Sequence, residues 1–238
     1  RQFIYSFTER EVYFMAPQKL SRPGKPALAY VYTPATAEGE KYPMIVFMGG
    51  YRSDMNGTKA TYLEKEAKAR GQAFLRFDYS GHGQSEGDFD QGSIGAWKQD
   101  ALDMLDEVAD GPVVLVGSSM GGWMALMAAV ERPAPIKGLV GIAAAPDFTE
   151  DMYEALNEAQ KKTLANQGFV DVPTNYDPRP YHFTKKFHDE GKQHLILNKP
   201  RTVDFPVRLI QGMKDTDVAW ETAVKIQKTL NGDVDIVF

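Results

Sequence analysis

Residues 117–121, Gly-Ser-Ser-Met-Gly, place a serine at the centre of a G-x-S-x-G pentapeptide, directly after the apolar run Val113 to Val116 and directly before a helix-forming stretch. In that context the pentapeptide marks a nucleophile elbow, a tight strand-to-helix turn that projects a serine hydroxyl clear of its surroundings. The flanking glycines have a steric task, because side chains there would meet the neighbouring strand and the first turn of the helix. Ser119 holds the central position, which makes Ser118 the weaker candidate. Met120 would open the helix, where its backbone N–H and the helix dipole favour negative charge developing on a substrate oxygen. The same residues also fit a glycine-rich turn with no chemistry, so the partners of a reactive serine decide between the two readings.

A site that stabilises an oxyanion needs a second donor, usually a backbone N–H from the loop after an earlier strand. FMGGYRSDMNG follows an apolar block at 44–48; its Gly49-Gly50 pair lets the backbone approach a substrate closely and makes the Tyr51 N–H that donor, with a merely flexible loop as the alternative. The acid of a serine relay follows the serine in chain order, at the end of a late strand. Asp215, three residues past Gly212 in LIQGMKDTDVAW, has that place. Asp217, which also suits a solvated turn, and Asp147, which also suits a helix cap, stand as alternatives.

The elements that must position these residues show in the patterning. Four apolar blocks, PMIVFMGG (43–50), AFLRFDYSG (73–81), VVLVGSS (113–119) and KGLVGIAAA (137–145), alternate with helix-like stretches at 58–71, 94–111 and 120–132. Gly71, Gly111 and Pro133 stop those helices. This is the signature of parallel βαβ units buried on both faces. Trp97, Ala101, Leu102, Leu105 and Val108 share one helical face, suited to packing on a sheet. From Asp147 to about Asp204 the strand-like blocks disappear. Asp147 and Glu150 read as a capping box, Phe148, Met152, Tyr153 and Leu156 recur at helical spacing, and a Pro-rich connection at 173–180 precedes a second polar stretch. The expected organisation is an α/β core from 1–146 and 205–238, interrupted by a helical insertion at 147–204. After the insertion the parallel pattern resumes with FPVRLIQG, a helix around 220–230 and VDIVF.

Composition excludes several other functions. The chain of 238 residues is 43% hydrophobic, enough to bury a large core, and its 27 Lys and Arg against 32 Asp and Glu leave no basic excess for nucleic-acid phosphates or anionic lipid. With no cysteine there is no disulfide framework and no thiolate metal site, which fits a reducing compartment such as the cytoplasm or, in a eukaryote, the mitochondrial matrix. Four histidines, His82, His182, His188 and His194, are little material for a metal centre, and no window is apolar enough for a membrane span. SGHGQSEG begins like a dinucleotide fingerprint, but Glu86 stands at its last glycine position, and no Walker lysine follows any glycine loop.

The stretches GGYRSDMNGTKA, FLRFDYSGHGQSEG, DGPVVLVGSSMGGW, GIAAAPDFTEDM and VRLIQGMKD resemble the α/β-hydrolase group of the mitochondrial palmitoyl-protein thioesterase, also an acyl-glucuronide esterase, and its bacterial relatives. The likeness runs from about Ala29 to Phe238 and is weaker in the first 28 residues. It departs at Met48-Gly49, where Pro-Gly is common, and at Ala219, where a proline often follows the acid loop. The resemblance implies an α/β-hydrolase fold with a mostly parallel central sheet, helices on both faces and a helical cap. It also implies Ser119 as nucleophile, Asp215 as acid, Tyr51 and Met120 as oxyanion donors, no cofactor and no metal. Substrates would be small-molecule or protein-borne esters and thioesters. By their helical spacing alone, Phe148, Met152 and Leu156 are available to line an acyl pocket, with packing of the cap onto the sheet as their preferred role.

The group's general base is a histidine after the last strand, and VDIVF ends at Phe238, so that histidine is expected beyond Phe238. His82, His188 and His194 read instead as loop or surface residues. A noncatalytic binder with the same fold is the competing reading.

Overall fold

The structure, a computed structural model, describes residues 16–173 and 180–238. The described residues open with an antiparallel hairpin of β1 (Gln18–Arg22) and β2 (Lys25–Thr33), turned at Gly24 in the left-handed region (φ 69°). There follow β3 (Met44–Met48), α1 (Thr58–Ala69), β4 (Phe74–Phe77), α2 (Ile94–Glu107), β5 (Val113–Ser118), α3 (Met120–Glu131) and β6 (Ile136–Ile142). The chain then leaves the sheet for α4 (Phe148–Glu154), α5 (Glu158–Gln167), the antiparallel pair β7 (Phe169–Val172) and β8 (Tyr181–Thr184), α6 (Lys185–Gly191) and a short β9 (Arg201–Thr202). It returns through β10 (Val207–Ile210), α7 (Trp220–Thr229), β11 (Leu230–Asn231) and β12 (Val234–Val237).

Eight strands form the main sheet in the order β1-β2-β4-β3-β5-β6-β10-β12, parallel from β4 to β12 and antiparallel at the β1–β2–β4 edge. Its central strands are apolar because helices cover both faces: all five residues of β3 and all four of β4 are buried. The expected face of α2 packs inward through Trp97, Ala101, Leu102 and Leu105, with half-buried Val108 at its end, beside an α3 buried almost throughout. Each large apolar side chain enclosed this way contributes about 1.5–3 kcal/mol.

Two features depart from the sequence reading. The hairpin β1–β2 was not among the expected blocks; its edge strands are short or alternate in burial, so they lack a continuous apolar run. The segment at 147–204 is not purely helical, because β7 and β8 pair within it. In β7 only Val170 is fully buried, and β8 reads Tyr-His-Phe-Thr, so neither carries an apolar block. Most of the Pro-rich connection, residues 174–179, lies outside the described residues.

Candidate active site

Ser119 sits between β5 and α3 with φ 54° and ψ −122°, a conformation that costs a non-glycine residue about 1–3 kcal/mol. Hydrogen bonds fix it: its N–H donates to Ile142 O (3.1 Å), and its carbonyl accepts from Gly122 N (2.8 Å) and Ala145 N (3.0 Å). The flanking glycines are obligatory. A Cβ on Gly117 would lie 2.3 Å from Gly121 O, and one on Gly121 would lie 2.0 Å from Met48 O. Ser118 and Ser119 both line an open cleft of about 940 Å³, Ser118 buried and Ser119 half-buried.

The loop after β3 passes directly over this serine. A Cβ on Gly50 would stand 3.4 Å from Ser119 Cβ, so the loop backbone lies within van der Waals range of the serine. Gly50 O accepts from Ser53 N (3.2 Å) and Ser53 Oγ (2.8 Å), closing a turn whose inner residues are Tyr51 and Arg52. Arg52 takes a positive φ of 56° where turns of this kind usually carry glycine. The Tyr51 N–H takes no part in closing the turn. Met120 is the first residue of α3, so its N–H has no acceptor inside the helix. The Tyr51 ring plugs the junction between sheet and insertion, with centroids 5.1 Å from Phe89, 5.9 Å from Trp97, 5.7 Å from Phe148 and 5.6 Å from Tyr181. Burial pushes its phenol up to about 12. The Arg52 guanidinium lies over the rings of Phe89 and Tyr181, and its Nη1 donates to Pro180 O.

Asp215 organises the loop after β10. Its Oδ1 accepts from Asp217 N (2.9 Å) and Val218 N (3.1 Å), while Gln211 Nε2 donates to Val218 O (2.9 Å). Asp215 is half-buried and is not among the residues lining the cleft; Thr216, Asp217 and Val218 are. Asp147 has a different task from either expectation. It adopts the left-handed region (φ 62°) and makes no side-chain cap. Its carboxylate accepts instead from Ile196 N (2.8 Å) and Leu197 N (3.0 Å), tying the start of the insertion to its far end, and burial raises its pKa despite those bonds. The capping box therefore does not form: with Asp147 out of the extended geometry of a cap, its side chain reaches a more distant pair of donors.

Phe148 and Met152 line the cleft with Ala155, but Leu156 does not; it is buried in the main core and serves packing. Of the loop-or-surface reading, His82 keeps the loop but not the surface, and His188, in α6, keeps neither. His82 is 3% exposed among the rings of Tyr79, Phe89 and Trp97, and His188 is equally buried, stacked on Tyr153 with its Nε2 2.8 Å from Glu150. His182 Nδ1 meets Asp171 at 2.8 Å, and His194 Nε2 meets Glu190 at 2.9 Å. Among the described residues, none of the four bonds to Ser119 or Asp215. No cluster of metal-ligating side chains occurs among the described residues.

Sequence reasoning missed Arg76 and Asp78, buried charges of β4 and the residues just after it that hold the loop over Ser119. The available signal was a pair of opposite charges in the otherwise apolar stretch FLRFDY.

The family described as serine aminopeptidase S33 matches residues 40–229. The human mitochondrial palmitoyl-protein thioesterase ABHD10 is 40% identical over 220 residues, which cover 92% of this chain and 70% of that protein. The structure of mouse alpha/beta hydrolase domain-containing protein 10 superposes with a TM-score of 0.86 at 38% identity, covering 94% of this chain and 88% of that one. The crystal structure of "Putative hydrolase from Agrobacterium vitis S4" gives a TM-score of 0.85 at 34% identity, covering 94% of this chain and 89% of that one. The fold, the family match and these relatives agree: the chain belongs to the α/β-hydrolase family and is a hydrolase.

Proposed function

We propose that this hydrolase cleaves carboxylic esters or acyl thioesters through a covalent acyl-enzyme on Ser119. The observation that carries the reading is the backbone at Ser119: φ 54° in a non-glycine residue, facing a cleft of about 940 Å³ with Gly50 packed against it. Such strain persists where surrounding structure enforces it, and it commonly marks a functional site.

In this mechanism Ser119 Oγ adds to the acyl carbon while a general base takes its proton, and the resulting oxyanion accepts hydrogen bonds from the Tyr51 and Met120 N–H groups. Collapse breaks the C–S or C–O bond, and the base returns the proton to the leaving thiolate or alkoxide. Water then repeats the sequence and releases the acid. Asp215 orients the base and stabilises its cation. Among the described residues, none of His82, His182, His188 and His194 bonds to Ser119 or Asp215, so none of them is assigned as that base. Residues 147–204 act as a cap over the core of 1–146 and 205–238, with Phe148 and Met152 forming part of an apolar wall for the acyl chain. The thioester half of the reading, with acylated proteins as well as small molecules as substrates, draws on the human relative's name. That relative's mitochondrial designation and the cysteine-free sequence together favour a reducing compartment.

The test is intact-mass spectrometry of the full-length protein before and after a fluorophosphonate. One adduct, absent in Ser119→Ala, is expected. A protein that stays unlabelled, or labels equally in the variant, would overturn the reading and favour a noncatalytic binder.

A further inference from the structure

Arg76 and Asp78 are each about 1% exposed, and charges so deeply enclosed persist only when paired and hydrogen-bonded. Their bonds converge on one residue. Asp78 Oδ1 accepts from Met55 N at 2.6 Å, and Arg76 Nη1 donates to Met55 O at 3.0 Å. Both polar groups of a single backbone residue are therefore gripped by two side chains two positions apart on the sheet. The Met55 side chain is fixed as well, buried against Ala29 and Val31 of β2. The grip is itself braced. Arg76 Nε pairs with Glu64 Oε2 (2.8 Å), Glu64 Oε1 accepts from Thr33 Oγ1 (2.7 Å), and Asp78 Oδ2 accepts from Gln84 N (2.8 Å). A Cβ on Gly83 would fall 2.1 Å from Asp78 Oδ2, so the carboxylate takes the space that the absence of a side chain at Gly83 leaves.

Met55 is the far anchor of the loop over the serine; the near anchor is Met48, the last residue of β3. Between them the chain makes the Gly50–Ser53 turn that presents Tyr51. The loop's own backbone bonds, Ser53 N–H to Gly50 O and Gly57 N–H to Asp54 O, close turns within it, and the strained φ of Arg52 needs both ends held.

We propose that Arg76 and Asp78 are positioning residues that set the oxyanion donor Tyr51 by clamping the backbone of Met55. The inference rests on the Ser119 acyl-enzyme reading. A displacement of about 1 Å transmitted from a site remote from the chemistry can cost a hundredfold in rate, and the loss falls on the transition state rather than on substrate binding.

Asp78→Asn is the main test, because it is isosteric yet must leave an amide NH2 facing either Met55 N–H or Gln84 N–H. Arg76→Lys and Asn56→Ala accompany it; Asn56 is exposed, and its Oδ1 accepts from the same Arg76 nitrogen at 2.8 Å, so that variant tests the grip without a buried change. Rates are taken on full-length protein per fluorophosphonate-titrated site, alongside the Ki of a trifluoromethyl ketone, which forms a tetrahedral adduct, and of an unreactive substrate analogue. In Asp78→Asn and Arg76→Lys, kcat should fall by about tenfold to a hundredfold with ketone affinity falling in parallel, while KM and analogue affinity stay within about twofold. Asn56→Ala should shift kcat and ketone affinity in the same direction, by less. Unchanged kcat per site in Asn56→Ala and Asp78→Asn, or a rise in KM with unchanged ketone affinity, would overturn the inference. Hydrolysis that survives Ser119→Ala would instead remove the acyl-enzyme reading beneath it.

Discussion

The elbow at Ser119 and the loop at Asp215 both follow a parallel strand at the same edge of the sheet, yet they are held by different physics. At the elbow, backbone packs on backbone: Gly117 and Gly121 sit where an added Cβ would lie 2.3 Å from Gly121 O and 2.0 Å from Met48 O. At the Asp215 loop the nearest atom to a Cβ on Gly212 is Asp215 Cβ at 4.0 Å, and the geometry comes from one carboxylate oxygen accepting two N–H groups. The turn at Ser119 is thus shaped by exclusion and the loop at Asp215 by the Asp215 side chain itself. A serine fixed by its neighbours can be replaced without disturbing its frame. An aspartate that builds its own loop cannot.

The largest expected effect tests the first half of that contrast. Ser119→Ala should lower kcat on the order of a millionfold while leaving the melting temperature nearly unchanged, since the elbow's bonds all run through backbone. A marked loss of stability would mean that the hydroxyl is structural.

Asp215 should separate chemistry from loop building. Asp215→Asn keeps an oxygen that can accept from Asp217 and Val218, so the loop should survive, but kcat should drop by about ten-thousandfold. Asp215→Ala should show a similar rate loss together with a lower melting temperature. Near-normal turnover in Asp215→Asn would assign the carboxylate to loop geometry alone.

Glycine substitutions sharpen the comparison at equal chemistry. Gly121→Ala forces backbone against Met48 O and should destabilise the fold by about 4 kcal/mol, whereas Gly212→Ala should stay within about 1 kcal/mol. Denaturant midpoints decide this, and equal costs at the two sites would erase the distinction.

The smallest effect concerns pH and a residue near neither loop. Burial holds the His82 imidazole below its ordinary 6.5, so the folded state takes up that proton at lower pH than the unfolded chain does. Its stabilising contribution is full above about 6.5 and is lost as pH falls through the folded value. Melting temperature should therefore drop on acidification, and drop less steeply in His82→Gln. Identical slopes would clear His82 of any part in the acid response.

Much of the site was legible because elbows are local. A β-branched run, a glycine on each side of Ser119 and a helix stop at Pro133 lie within about twenty residues, and their steric logic reaches no further than the next turn. The same holds for Gly49-Gly50 and for the apolar blocks that became β3, β4, β5 and β6. Legibility failed where a short polar segment could satisfy itself in several ways. Asp147 had the spacing of a helix cap and became a tie to Ile196 and Leu197; the shared helical spacing of Phe148, Met152 and Leu156 suited packing and pocket wall alike, and only the fold put Leu156 in the core and the other two on the cleft.

The sequence by itself determined the strand-turn-helix unit around Ser119, the parallel core and the position of Asp215 after a late strand, because steric exclusion and apolar periodicity act between near neighbours in the chain. Only the tertiary structure decided which histidines are buried, that the Tyr51 ring packs between Phe89 of the core and Phe148 and Tyr181 of the insertion, and that Arg76 and Asp78 clamp Met55 more than twenty residues away. Those outcomes depend on which distant donors and rings the folded sheet brings within hydrogen-bond or contact range, and local spacing carries no record of that distance.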